Sequence, residues 1–153
     1  MRKTKATARA LREACSMTQF DLATEFDVQT RTVKRWENPA HPSKYPADVL
    51  AWLEAACACM RERAVGLAES IAADKPEYVV LPYFRTQDEL DVVQLPAGQA
   101  QPVGYFNATM RLVYDKLIAL GIDACFGYGG EATVTVERWS KPFQCSTRIE
   151  EEG

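Results

Sequence analysis

The stretch TQFDLATEFDVQTRTVKRWEN, residues 18–38, decides how the amino-terminal part of this chain folds. Thr18 is a good N-cap, because its side-chain oxygen can accept from an unpaired backbone N–H of the first turn. Phe20, Leu22, Ala23 and Phe26 recur at helical spacing after it, so an amphipathic helix is expected over residues 19–26. Asp27 ends that helix. Aspartate tolerates the left-handed backbone region and can satisfy nearby donors, which suits the corner between two steeply crossing helices. A second helix is expected over residues 30–37, with Val28, Val33 and Trp36 turned inward. Gln29, Thr30, Arg31, Lys34 and Arg35 are then left outside, on a face with three cations and no acid.

Working outward, residues 3–15 should form a preceding helix, with Ala8, Leu11 and Cys15 on its inner side. Arg2, Lys3, Lys5 and Arg9 would face solvent, and Met17 would fill the gap before Thr18. Thr18-Gln19, Leu22-Ala23, Phe26-Asp27-Val28, Thr32-Val33 and Trp36-Glu37-Asn38 together resemble, position by position, the helix-turn-helix of the phage repressor and Cro class, the XRE family. Asp27 stands where that family usually has Gly at the turn, and Pro39 where Gly usually follows the second helix. The resemblance covers about the first third of the chain. It implies a lambda-repressor-like DNA-binding unit, an ion pair between Arg12 and Glu37, and a hydrogen bond from Gln19 to a phosphate. Arg31 and Arg35 are the first choices for base edges, since one guanidinium can bond guanine O6 and N7 together, with Thr30 and Lys34 next. Lys5, Arg9, Gln19 and Gln29 would hold the DNA backbone.

Bulk properties agree with a basic head on an acidic remainder. The chain has 153 residues, 47% of them hydrophobic, which excludes general disorder and leaves material for a core. Residues 1–44 hold nine Lys or Arg against five Asp or Glu, a balance of +4, and the remainder holds nine against sixteen, −7, which together make the formal −3. Only a docking face needs to attract phosphates. No apolar run approaches a membrane span and the basic start leads into an amphipathic helix, so a cytoplasmic protein without membrane contact is expected. Five cysteines, at 15, 57, 59, 125 and 145, fit reduced and mostly buried thiols. Cys57 and Cys59 lie two apart in an expected helix and face different ways, so no metal site is expected.

Beyond the 18–38 stretch, NPAHPSKY at 38–45 reads as a loop, and Pro46 opens a long helix to about residue 73. Its apolar stripe, Val49, Leu50, Leu53, Ala56, Cys57, Met60, Ala64, Leu67, Ala68 and Ile71, persists for about 40 Å at the usual rise. A three-helix head cannot cover that length, so the distal half needs a second domain or a second copy of the chain. Asp74-Lys75-Pro76 marks the expected boundary between residues 1–73 and 74–153. YVVLPYF at 78–84 reads as a strand with Pro82 at an edge, and Thr86 with Glu89 as a capping box opening a helix over 87–92. PAGQAQP at 96–102 reads as a loop, and Asn107 as the cap of a helix stopped by Gly121. Residues 122–126 and 132–139 alternate around GYGG as an expected hairpin.

GYGG lacks the Lys-Ser/Thr and following helix of a phosphate loop, and neither paired catalytic carboxylates nor a nucleophile elbow is present, so no enzyme and no cofactor are expected. The order of head, long helix and small α+β unit, with VVLPYFRTQDEL ahead of PVGYFNATMRLVYDKL, is similar to phage and mobile-element regulators that include the anti-CRISPR-associated repressors. That resemblance implies a homodimer joined through the carboxy-terminal unit and acting on its own operon. The full expectation is a mainly α head, a connecting helix and an α+β dimerisation unit in a dimeric autorepressor of double-stranded DNA. The alternatives are an antitoxin whose partner is a toxin, or a protein-interaction module.

Overall fold

A computed structural model of the chain describes residues 3–93 and 101–134. These residues are mainly helical, with one small two-stranded parallel sheet. They gather into two compact units divided between Cys59 and Met60, inside the long helix rather than at its end.

In the first unit, α1 (Lys5–Ala14) starts at Thr4, whose side chain accepts from the Thr7 N–H. Helix α2 (Gln19–Glu25) opens with a closed capping box: the Thr18 side chain accepts from the Asp21 N–H at 3.0 Å, and the Thr18 N–H donates to the Asp21 carboxylate at 2.8 Å. The turn to α3 (Thr30–Glu37) is fixed by the way α2 ends. Asp27 N–H donates to Thr24 O at 3.3 Å and Val28 N–H to Ala23 O at 3.0 Å, with Asp27 at φ 52°. That is a Schellman closure with an aspartate in the left-handed position glycine usually takes. Helix α1 closes in the same way around Ser16, at φ 51°.

Ala8, Leu22, Ala23, Val33, Val49, Leu50 and Leu53 make the core of this unit, with Phe26, Val28, Trp36 and Trp52 packed against it. The Phe26 and Trp52 rings meet edge to face at 5.5 Å between centroids. Each of the three leucines contributes about 2 kcal/mol by burial, which is what holds α2 and α3 against the start of α4 (Ala47–Ala73). Phe20, expected with the apolar residues of α2, is instead 67% exposed. It lies about 100° round the helix from the centre of the Leu22, Ala23, Phe26 stripe.

In the second unit, the distal part of α4 supplies Ala64, Leu67, Ala68 and Ile71 to a core completed by residues of β1 (Val79–Tyr83), α5 (Gln87–Val92) and α6 (Val103–Ala119). The rest of this chain thus covers the stripe that the head leaves bare. Strand β2 (Ala124–Tyr128) lies parallel to β1, with Val79 opposite Ala124 and Tyr83 opposite Tyr128. This corrects the expected hairpin. Helices α5 and α6 carry the chain back across the sheet, so β2 pairs with β1, and the described residues just after GYGG bond to β1 instead of to β2. After the 3-10 turn Gly129–Glu131, Thr133 meets β1, donating its N–H to Val80 O at 2.9 Å and accepting the Val80 N–H at 2.9 Å. The remaining hairpin residues, 135–139, the head of the 96–102 loop and Cys145 lie outside the described residues.

Alternate residues of β1 point to opposite sides, so Val79 bonds toward β2 while Val80 and Pro82 turn away from it. Pro82 therefore costs the β1–β2 ladder no hydrogen bond. Gly127 opposite it is required by close approach, since a Cβ there would lie 2.6 Å from Val80 Cγ1 and 2.9 Å from Glu131 Cβ.

Two local readings also need correction. Helix α6 starts a turn before Asn107, directly after Pro102, which is its N-cap residue. Asn107 is buried inside the helix and clamps β1: its Oδ1 accepts from the Phe84 N–H at 3.1 Å and its Nδ2 donates to the Phe84 C=O at 2.7 Å. The Thr86 box is half closed. Thr86 accepts from the Glu89 N–H at 3.2 Å, but the Glu89 carboxylate turns back to the Arg85 N–H at 3.2 Å and to its guanidinium at 2.6 Å.

No helix among the described residues is long and apolar enough to cross a membrane. Among the same residues no group of three His, Cys, Asp or Glu is placed to hold a metal.

Candidate nucleic-acid interface

Helix α3 is anchored by what it turns inward. Val33 is fully buried and Trp36 is half-buried in the first core, with the Trp36 ring 5.9 Å from that of Tyr45. The opposite side is left to solvent: Gln29, Arg31, Lys34 and Arg35 are exposed, and Thr30 is half-buried at the first position of the helix. Among the described residues no ion pair engages Arg31, Lys34 or Arg35. Their charges are therefore available to a ligand, and Lys34 and Arg35 in the last turn also complement the negative end of the helix dipole.

Arg12 and Glu37 meet in a two-pronged ion pair, with Nε to Oε2 at 2.9 Å and Nη2 to Oε1 at 2.8 Å. Their side chains are only 9% and 4% exposed. The third arm of Arg12 donates to Met17 O at 2.8 Å, so the guanidinium also fastens the end of α1 to the start of the next segment. Removing one member of such a pair leaves a buried charge unmatched, at a cost of about 3–5 kcal/mol.

Lys5, expected at the phosphate backbone, makes its contacts within the fold in this structure. Its ammonium donates to Asn38 O at 2.8 Å, to His41 O at 3.0 Å and, at the limit of reach, to Arg35 O at 3.5 Å. These are the carbonyls at and just past the end of α3, where a cation answers the negative end of the helix dipole. Nothing in the sequence signals this contact, because Lys5 lies far from the carbonyls it binds and carries no local pattern. Arg9 is exposed and paired, donating to Glu13 at 2.7 Å, and that hydrogen bond holds the Glu13 carboxyl below the usual carboxylate range. Gln19 is half-buried at the first position of α2. The structure thus puts the five α3-side residues on one helix and its cap, and places Gln19, Lys5 and Arg9 on other helices of the same unit.

No protein-family model and no curated protein matches this chain.

Proposed function

We propose that the chain is a sequence-specific DNA-binding regulator in which α2, the Asp27 turn and α3 act as a helix-turn-helix. The observation that carries this reading is the outer face of α3, where Arg31, Lys34 and Arg35 stand exposed and, among the described residues, outside any ion pair, while Val33 and Trp36 hold the helix from behind. In this reading α3 enters the major groove. Arg31 and Arg35 bond base edges, with Thr30 and Lys34 beside them, and Gln19, Gln29 and Arg9 contact the backbone. The protein acts as a homodimer joined through its carboxy-terminal unit, so its two α3 helices read an inverted repeat with half-sites about 34 Å apart. Repression of its own promoter then comes from occluding polymerase.

The test is selection of bound fragments from a random DNA pool, followed by anisotropy titrations at fixed salt. A two-fold symmetric site with that spacing is expected. Arg35→Ala should then weaken binding to the selected site by about 1–3 kcal/mol and relax preference at one base pair. Equal losses on selected and random DNA would reduce Arg35 to a phosphate contact. Failure to enrich any sequence would favour the second reading, a protein-interaction unit, which the 67% exposed ring of Phe20 on α2 supports.

A further inference from the structure

Cys15 and Cys57 are 0% and 4% exposed, and their Sγ atoms lie 3.1 Å apart. Carbon atoms in contact sit at roughly 3.5–4.0 Å, and sulfur is the larger atom, so these sulfurs approach more closely than ordinary packing requires. Cys15 is the residue that closes α1, and Cys57 lies on α4 in the same compact unit. The Leu11 carbonyl joins them, accepting the Cys15 N–H at 3.1 Å and lying 3.5 Å from Cys57 Sγ. Cys59, two positions further along α4, faces another direction, and Cys125 is in the other unit.

We propose that Cys15 and Cys57 form a reversible intramolecular disulfide when the protein meets peroxide. One thiol gives up its proton and its sulfur attacks a peroxide oxygen. The O–O bond breaks, one water leaves and a sulfenic acid remains. The second sulfur then displaces the sulfenic oxygen, which departs with that thiol's proton as a second water. Two thiols are oxidised, one peroxide is reduced, and a dithiol such as dithiothreitol reverses the exchange. The sulfurs need to close by only about 1 Å to reach bonding distance. Both thiols are buried, so the reaction requires local opening near the end of α1 to admit peroxide, which is small. The bond would tie together residues 42 positions apart and remove loop freedom from the unfolded chain. None of this depends on the DNA-binding reading.

The experiment uses the full chain with Cys59→Ser, Cys125→Ser and Cys145→Ser, exposed to hydrogen peroxide under native conditions. The intact mass should fall by two hydrogens and Tm should rise by on the order of 10 °C, and dithiothreitol should reverse both. Adding Cys57→Ser should abolish both changes. Peptide mapping of the oxidised wild-type protein should recover a Cys15–Cys57 cross-link, which keeps the test valid if the triple variant fails to fold. Addition of oxygen to the sulfurs, an unchanged mass, or a two-hydrogen loss accompanied by collapse of native circular dichroism would overturn the proposal.

Discussion

Asp27 holds a backbone conformation that costs an L residue roughly 1–2 kcal/mol, and it does so at the corner that aims α3. Asp27→Gly should therefore stabilise the protein by up to about 1 kcal/mol, less than the full strain because glycine also loosens the unfolded chain. A raised urea midpoint would show it, whereas a lowered one would mean that the carboxylate contributes more than its backbone costs. Tyr45 presents a different kind of local cost. Its hydroxyl is buried without a hydrogen-bond partner among the described residues. Burial, and then the Glu37 carboxylate, push its pKa up from near 10 to about 12, against the pull of Arg12. Between those values the folded protein keeps a proton that the unfolded chain releases, so stability falls as pH rises from about 10 through about 12. Tyr45→Phe should remove that contribution to the alkaline fall and be neutral or slightly stabilising at pH 7. Urea unfolding at pH 7, 9 and 11 checks both, and an unchanged alkaline slope would locate the titration elsewhere.

Among the helices, legibility tracked local chemistry. The capping side chains Thr18 and Thr86 act within three residues, and the α4 stripe repeats every turn, so each could be read from a short window. Contacts made across the fold had no such window. Asn107 looks like a cap because asparagine favours caps, yet its partners are the backbone groups of Phe84. The parallel pairing of β2 with β1 depends on the crossover between them, while the alternating residues around GYGG point to the wrong neighbour. The exposed cations of α3 were readable from periodicity, and the meeting of Arg12 with Glu37 only through resemblance. Lys5 belongs with the unreadable contacts, and its position changes what its removal should do. Lys5→Ala should cost about 1 kcal/mol of folding stability by removing a cation from the negative end of the α3 dipole. It should also leave the salt dependence of DNA binding shifted by clearly less than one released ion. A shift of a full ion with unchanged stability would return Lys5 to the phosphate backbone.

For the molecule as a whole, the division between Cys59 and Met60 makes a prediction about fragments. A chain cut after residue 73 keeps Ala64, Leu67, Ala68 and Ile71 but loses the elements that bury them, so it should self-associate through that stripe. One cut after residue 59 lacks the stripe and should sediment as a monomer. Equal behaviour would show that the second core does not depend on α4. Charge is partitioned along the same chain, with the positive excess in the first 44 residues, which under the proposed function would favour phosphate approach to that unit. Helix α3 would enter any such encounter already clamped, with Lys5 and the Arg12–Glu37 pair at its carboxyl end. A surface that arrives in its final shape surrenders little motional freedom on docking. By the same stiffness, if the proposed DNA reading holds, α3 has little slack to reshape itself around a mismatched surface.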